Sequence, residues 1–179
     1  IVVTSEPDVV ARADRIVLPG DGAYPSCRAA LHRFSGLAEA IDEAVTVKSR
    51  PFLGICIGMQ MLATRGLEFE ETEGFGWVPG EVVKITPDDP AMKVPHMGWN
   101  DLVIDNPHPV LAGIETGDHA YFVHSYAAPV SGITLASSEY GEPFSAIVRH
   151  KNVYGCQFHP ERSSRVGAKI LENFLKVSP

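Results

Sequence analysis

Short apolar runs alternate with stretches of helical spacing in the first third of the chain. Residues 1–3 and 15–18 are apolar runs that predict strands, and residues 51–56 form a third such run. Between the last two, residues 26–48 place apolar side chains at four-residue intervals, which predicts helix. Strand, helix and strand in this order indicate right-handed βαβ units and a mostly parallel sheet.

The pattern changes in the middle of the chain, where turn residues separate strand-like segments. These segments are residues 80–85, 93–104, 119–127, 134–137 and 145–157. A last helix follows, with an apolar stripe of Val166, Ile170 and Phe174, and Ser163 or Ser164 can cap it. We therefore predict one α/β domain over residues 1–179, a mostly parallel open sheet flanked by helices with additional antiparallel strands.

Composition narrows the class of partner. The net charge of −7 argues against a nucleic-acid or anionic membrane surface. No apolar run approaches the roughly 20 residues that span a bilayer. The three cysteines are widely spaced and odd in number, so a disulfide framework is not expected. We expect a cytoplasmic protein that binds neither nucleic acid nor membrane.

A cysteine stands between two glycines where the apolar run 51–56 ends. Cys56 lies between Gly54 and Gly58, and the helix-compatible run 59–63 follows. A nucleophile on a sharp strand-to-helix turn needs small residues two positions to either side. A cysteine at a strand end is by itself more often a small core residue. The glycines and the helix favour a nucleophile, because a helix N-terminus stabilises a thiolate.

An imidazole and a carboxylate follow the last predicted strand. His159 and Glu161 are two residues apart, on one side of an extended segment. Each has a structural alternative: a histidine that ends a strand before Pro160, and an acidic start to the last helix. Together with Cys56 they form the parts of a cysteine acyl-transfer site. This hypothesis requires the sulfur and the imidazole to lie within hydrogen-bonding distance in the fold.

The glycine-rich segment after the strand at 15–18 is a candidate oxyanion hole. It contains Gly20, Asp21 and Gly22, which can also form an ordinary turn. Backbone N–H groups of this loop, with the N–H of Ile57, can stabilise developing negative charge. Asp21 should then point away from Cys56. The histidines show no ligand spacing, so neither a metal nor a cofactor is expected.

Longer motifs resemble a known family, the class I (triad) glutamine amidotransferases. The resemblance rests on two motifs, Gly-Ile-Cys-Ile-Gly-Met-Gln at residues 54–60 and Gln-Phe-His-Pro-Glu at 157–161. Two further segments, Lys-Val-Pro-His-Met-Gly-Trp-Asn at 93–100 and Tyr-Phe-Val-His-Ser-Tyr at 121–126, are similar to the glutaminase subunits of imidazole glycerol phosphate synthase. The resemblance implies a flavodoxin-like core. It also implies hydrolysis of L-glutamine to glutamate and ammonia through a thioester on Cys56. The ammonia would pass to a (β/α)₈-barrel cyclase subunit of histidine biosynthesis, in a heterodimer.

The same resemblance assigns further roles. It implies that Gln60, Glu68, Ser125 and Tyr126 contact glutamine, although Glu68 can equally be a solvated charge. It also implies that five residues face the cyclase: His96, Trp99, Asn100, Tyr121 and Arg162. Each of them can equally be an ordinary sheet or surface residue.

The sequence departs from the family pattern at two places, and two alternative functions stay open. The family usually has an apolar residue where Asp21 stands, and its first strand and helix, with an Asp-Tyr-Gly-like segment, are not matched here. The alternatives are another class I amidotransferase, serving anthranilate, guanylate or pyridoxal phosphate synthesis, and an interaction module that has lost catalysis. The cyclase partner and thioester formation on Cys56 discriminate among these hypotheses.

Overall fold

Helices and strands alternate in the first third of the chain, and strands dominate the rest. The computed structural model of the protein describes residues 1–177. The helices are α1 (Pro7–Ala11), α2 (Tyr24–His32), α3 (Leu37–Asp42), α4 (Ile57–Gln60) and α5 (Ser164–Lys176). A π-helical turn (Glu43–Val47) and two 3₁₀ turns (Pro109–Leu111 and Pro160–Arg162) join them. The strands are β1 (Ile16–Gly20), β2 (Phe52–Cys56), β3 (Arg65–Gly66), β4 (Thr72–Glu73), β5 (Glu81–Lys84), β6 (His96–Asp101), β7 (Val103–Ile104), β8 (His119–His124), β9 (Tyr126–Ala127), β10 (Thr134–Tyr140), β11 (Glu142–His150) and β12 (Val153–Cys156).

A six-stranded sheet, in the order β1-β2-β12-β11-β10-β7, forms the centre of the molecule. Strands β1, β2 and β12 are mutually parallel, and antiparallel strands extend the sheet beyond β12. All five residues of β2 are buried, as expected for a central strand covered on both faces. Helix α4 packs across the three parallel strands. The predicted α/β class, with its parallel centre and antiparallel additions, is confirmed.

Two smaller sheets complete the fold. Strands β4, β3, β5 and β9 form a short four-stranded sheet, and β6 pairs with β8 in an antiparallel two-stranded ribbon. The segments predicted to be strand-like at 93–104, 119–127 and 145–157 each contain residues of two strands. The last of these contains the turn between β11 and β12, where Lys151 adopts φ 54°.

Two predicted elements differ from the structure. Residues 26–48 are not one helix, because Gly36 adopts φ 82° and separates α2 from α3. Residues 1–3 were expected in a strand, and this prediction is wrong. Their side chains are exposed, and they form no ladder with any other residue in the range 1–177. An extended segment without a neighbouring strand gains no ladder hydrogen bonds.

The last helix packs through the predicted stripe. Val166, Ile170 and Phe174 are all buried, whereas Leu175 on the other side of α5 is 60% exposed. The stripe joins the same hydrophobic core as the central strands. None of the helices within residues 1–177 is long and apolar enough to cross a membrane.

The stripe predicts a contrast between two substitutions in α5. Ile170→Ala should lower the free energy of unfolding by about 2–5 kcal/mol, because it removes buried methyl groups and leaves a cavity. Leu175→Ala, which shortens an exposed side chain in the same helix, should change it by less than about 0.5 kcal/mol. Urea unfolding measures both values. Equal effects would contradict the packing described here.

Candidate active site

Cys56 ends β2 in a backbone conformation that side-chain-bearing residues rarely adopt. Its φ is 53° and its ψ is −112°, and α4 begins at the next residue, Ile57. The flanking glycines allow this turn because the backbones approach closely. A Cβ on Gly54 would overlap the Gly58 carbonyl group, and one on Gly58 would overlap the Leu18 carbonyl oxygen of β1. The turn therefore holds the thiol of Cys56 at the carboxyl edge of the sheet.

The Cys56 thiol is buried among polar groups. The residue is only 4% exposed. Its Sγ lies 3.7 Å from Gln157 Nε2, and the thiol donates to the Val123 carbonyl oxygen across 3.9 Å. Burial raises the pKa of Cys56 to about 12, although the hydrogen bond from the Ile57 backbone N–H lowers it. The sequence predicted a thiolate stabilised by the helix N-terminus. In this structure burial outweighs that effect, and the resting thiol is neutral.

His159 and Glu161 form the expected pair. His159 Nδ1 lies 2.8 Å from Glu161 Oε1, so the ring donates its Nδ1–H to the carboxylate. The His159 side chain is 13% exposed and that of Glu161 is 59% exposed. A neutral imidazole with its proton on Nδ1 presents Nε2 as an acceptor, which is the form that a general base requires.

A buried serine fixes the backbone of this turn. Ser163 Oγ donates to the His159 carbonyl oxygen at 2.7 Å and accepts the Tyr121 backbone N–H at 2.9 Å. The His159 N–H in turn donates to the Tyr121 carbonyl oxygen at 2.9 Å. Ser163 or Ser164 was expected to cap α5, and Ser163 occupies the N-cap position. It precedes the helix, but its hydroxyl is engaged by strand β8 and makes no cap hydrogen bond.

The sulfur and the imidazole lie at the same edge of the sheet. Ile55 in β2 pairs with Cys156 in β12, so Cys56 and His159 follow the carboxyl ends of adjacent parallel strands. The expected hydrogen bond between them is not present among the described residues. His159 Nε2 is buried and has no hydrogen-bond partner within residues 1–177. The thiol instead faces Gln157 and the carbonyl of Val123. Two clefts open near the thiol, and Val123 lines both of them.

The candidate oxyanion loop borders the thiol. Gly20 is the last residue of β1, and Gly22 adopts φ 103°. The carbonyl oxygen of Asp21, between them, accepts a hydrogen bond from Cys27 Sγ at 3.2 Å. After burial, the nearby charge of Asp21 is among the influences that raise the pKa of Cys56. Asp21 is also the residue that departs from the family pattern, and its negative charge disfavours the thiolate form of Cys56.

A cleft of about 190 Å³ opens on one side of Cys56. The four residues that the resemblance assigns to glutamine all line it: Gln60, Glu68, Ser125 and Tyr126. Glu68 is partly buried, and its Oε2 accepts the Tyr24 backbone N–H at 2.7 Å. Drug-sized ligands occupy pockets of roughly 300–1,000 Å³. The smaller volume suits a ligand of amino-acid size.

A second cleft, of about 460 Å³, opens on the other side of Val123. It is lined by Gly20, Asp21, His159 and Glu161, and it extends to Arg162. The Arg162 guanidinium carbon lies 4.3 Å from the centroid of the Tyr121 ring.

The residues assigned to a partner surface divide into two groups. Trp99 is 54% exposed and packs edge-on against Tyr121, with ring centroids 6.0 Å apart. His96 is only 3% exposed and lies beneath this surface. Asn100 is partly exposed and donates to the Glu139 carbonyl oxygen at 2.8 Å. Trp99 and Tyr121 are therefore accessible at the surface at least in part, whereas His96 is buried on the other face of the ribbon.

Gln157 is the functional residue that the sequence reasoning missed. Its side chain is fully buried, with Nε2 directed at Cys56 Sγ. The signal was available, because Gln157 stands two positions before His159 and extended backbone directs such residues to one side. Ser163 and the carbonyl of Val123 had no comparable signal, since their roles depend on tertiary contacts.

Known proteins similar to this chain agree with its motifs. The family model for class-I glutamine amidotransferases matches residues 3–177. The chain is 62% identical over 181 residues to the imidazole glycerol phosphate synthase subunit HisH of Cereibacter sphaeroides, an alignment that covers 100% of this chain and 85% of that one. It is 57% identical to HisH of Ruegeria pomeroyi, with the same coverage.

Solved structures share the fold. A crystal structure of a glutamine amidotransferase matches with a TM-score of 0.71 over 97% of this chain and 83% of that one, at 18% identity. The glutaminase domain of Trypanosoma brucei CTPS, with bound acivicin, matches with a TM-score of 0.63 over 97% of this chain and 76% of that one, at 17% identity. At such identities the likeness shows the fold alone. The family model and the HisH relatives carry the assignment further, and by them the chain belongs to the class I glutamine amidotransferases, enzymes whose nucleophile is a cysteine.

Proposed function

We propose that this chain is the glutaminase subunit of imidazole glycerol phosphate synthase. It hydrolyses L-glutamine to glutamate and ammonia, and it delivers the ammonia to a (β/α)₈-barrel cyclase subunit for histidine biosynthesis. The observation that carries the proposal is Cys56 at a sharp strand-to-helix turn, beside the end of the strand that leads to His159 and Glu161. The high identity to HisH subunits supports the choice of this amidotransferase over others of the class.

Glutamine binding uses the smaller cleft. The carboxylate of Glu68 offers a counter-ion for the α-ammonium group of glutamine. The Ser125–Tyr126 backbone lies near the α-carboxylate, and Gln60 forms a wall. The side-chain amide of glutamine then points toward Cys56, which lines the same cleft.

The reaction proceeds by acyl transfer to sulfur. His159 Nε2 takes the thiol proton while Sγ bonds to the amide carbon, and the carbonyl oxygen becomes an oxyanion. The Ile57 N–H and the amides of the loop at Gly20–Gly22 stabilise that oxyanion. The His159 imidazolium, held by Glu161, then protonates the leaving nitrogen, the C–N bond breaks and ammonia departs. Water, with His159 as base, hydrolyses the thioester to glutamate.

The resting geometry makes the free subunit a weak glutaminase. The thiol is neutral and makes no hydrogen bond to His159, so a movement must bring the two groups together before attack. We propose that glutamine and the cyclase jointly favour this movement. Ammonia released without a partner would be lost, and high activity of the free subunit would contradict this part of the proposal.

The partner binds next to the larger cleft. Arg162 lines this cleft, its guanidinium lies over the Tyr121 ring, and Tyr121 packs against exposed Trp99. Together they present an aromatic and cationic surface, a composition typical of interface centres. His159 faces the same cleft, so ammonia formed at Cys56 can leave toward that surface. We place the enzyme in the cytoplasm, because its cysteines form no disulfide within the described chain.

Cys56→Ala should abolish glutamine-dependent synthesis in the complex, by at least about a thousandfold. Synthesis from added ammonium salt should remain, because the cyclase does not need the thiol when ammonia is supplied. Cys27→Ser, at a partly buried thiol outside the proposed triad, is the matched control and should keep glutamine-dependent synthesis, because a hydroxyl can still donate to the Asp21 carbonyl oxygen. A glutamine analogue whose side-chain amide is replaced by an electrophilic diazomethyl ketone, 6-diazo-5-oxo-L-norleucine, should label Cys56 alone. Labelling of Cys27 instead, or no labelling in the intact complex, would defeat the proposal.

Glu161→Gln should lower kcat for glutamine on the order of 10²- to 10⁴-fold, with little change in KM. The carboxylate accepts the Nδ1–H of His159, whereas an amide can donate there and favour the wrong tautomer. Glu172→Gln, at an exposed carboxylate on α5, should leave kcat unchanged. Steady-state kinetics of the complex measure both. A Glu161→Gln enzyme with wild-type kcat would remove Glu161 from the mechanism.

Alkylation of Cys56 in the free subunit should show its high pKa. Iodoacetamide reacts with thiolate, so with a pKa of about 12 the rate should rise roughly tenfold per pH unit between pH 7 and pH 10. An ordinary thiol, with a pKa near 8.5, would level off at about pH 9.5. Peptide mass spectrometry on a Cys27→Ser background assigns the modification to Cys56. A plateau at or below about pH 9.5 would show that burial does not dominate.

A further inference from the structure

Two buried histidines that the mechanism does not use face each other across the β6–β8 ribbon. His96 pairs with His124 in the strand register, and His96 Nδ1 lies 3.0 Å from His124 Nε2. The residues are 3% and 5% exposed. Burial lowers the pKa of His96 to about 4 and that of His124 to about 3, so both rings are neutral near pH 7.

The direction of each hydrogen bond follows from one carbonyl group. The Tyr126 carbonyl oxygen can only accept, so His124 donates Nδ1–H to it across 3.0 Å. In a neutral ring, His124 Nε2 is then an acceptor, and His96 must donate its own Nδ1–H. His96 Nε2 is left as an acceptor, and Asn100 Nδ2 lies 3.3 Å from it. Donation therefore runs one way, from Asn100 through both rings to Tyr126.

The same carbonyl anchors a second series of hydrogen bonds that ends at the nucleophile. Gln60 Nε2 donates to the Tyr126 oxygen at 2.8 Å and to Gln157 Oε1 at 3.0 Å. With its oxygen so engaged, Gln157 directs Nε2 at Cys56 Sγ, 3.7 Å away. Both glutamine side chains are buried, at 2% and 0% exposure. A 180° rotation of either amide would place two oxygens, or two NH₂ groups, against each other.

Gln60 also lines the cleft beside Cys56. Both hydrogens of its Nε2 are used, whereas its Oε1 is buried and has no hydrogen-bond partner within residues 1–177. The orientation of this amide thus decides what the cleft wall presents and, through Gln157, what the sulfur meets.

We propose that His96 and His124 are positioning residues for glutamine hydrolysis. Through the Tyr126 carbonyl they fix the paired amides of Gln60 and Gln157, and so they align the Cys56 thiol with the cleft wall. The inference rests on the proposed glutaminase function. Asn100 directly follows Trp99 in β6 with its side chain on the other face, so the series of hydrogen bonds begins on the strand that bears Trp99.

Packing alone is the competing explanation for the two rings. His96 stacks on Phe122 and Tyr140 at centroid distances of 5.1 and 4.2 Å, as an apolar aromatic ring could. His96→Phe keeps such a ring and removes both nitrogens. His96→Asn loses the stacking but can place an amide N–H near the position of Nδ1. The two variants therefore separate hydrogen bonding from packing.

The test compares these variants in the complex with the cyclase. His96→Phe should lower kcat/KM for glutamine about tenfold, the effect of one lost buried hydrogen bond, and His96→Asn should restore part of it. Synthesis from ammonium salt should stay at the wild-type rate in both. Equal kcat/KM for His96→Phe and wild type, or a greater loss in His96→Asn than in His96→Phe, would overturn the proposal. A wild-type complex without glutamine-dependent synthesis would instead refute the proposed function.

A double variant and a spectroscopic measurement complete the test. If His96 acts through Gln157, adding His96→Phe to Gln157→Leu should cause little further loss of kcat/KM, whereas independent roles would multiply. Should the variants fail to fold, ¹⁵N NMR of histidine-labelled wild-type protein near pH 7 still decides. Both rings should be neutral with the proton on Nδ1, and a proton on Nε2 of either ring would overturn the proposed direction.

Discussion

The contact of α4 with β1 is the constraint on which the site depends. Gly58 lies against the Leu18 carbonyl oxygen, and this approach leaves no room for a Cβ. It lets the chain turn at Cys56 within one residue, at a φ that costs about 1–3 kcal/mol in ordinary residues. Because of that turn, one short segment supplies the sulfur, the Ile57 N–H and the wall residue Gln60. The core around β2 holds the strain in place.

How far the sequence predicted the site follows from where each part originates. Carboxyl ends of parallel strands meet at one edge, so the placement of Cys56 near His159 followed from two short motifs and the strand pattern. The break at Gly36 was less evident, because four-residue spacing continues across it although the backbone does not. Of the two serines predicted to cap α5, Ser163 holds the N-cap position but makes no side-chain cap bond, because its hydroxyl bonds to the Tyr121 N–H and the His159 carbonyl oxygen.

The electrostatics of the thiol show a second limit of local reasoning. A helix N-terminus favours thiolate by up to about 2 kcal/mol, and only over its first turn. Here α4 is four residues long, and Cys56 is almost completely buried, so desolvation dominates and the pKa rises. A sequence can indicate that a helix follows a cysteine, but burial of the sulfur depends on β8 and on residues after β12. The resting enzyme thereby keeps its nucleophile protonated.

The buried polar groups beside the site explain how a neutral thiol can still be held in a fixed position. Inside a protein each donor must meet an acceptor, so the direction of one hydrogen bond constrains its neighbour. The Tyr126 carbonyl, from β9, receives donors from the β6–β8 ribbon on one side and from Gln60 of α4 on the other. A carbonyl oxygen can accept both bonds through its two lone pairs, so the β6–β8 ribbon and the helix that starts at the nucleophile share one acceptor.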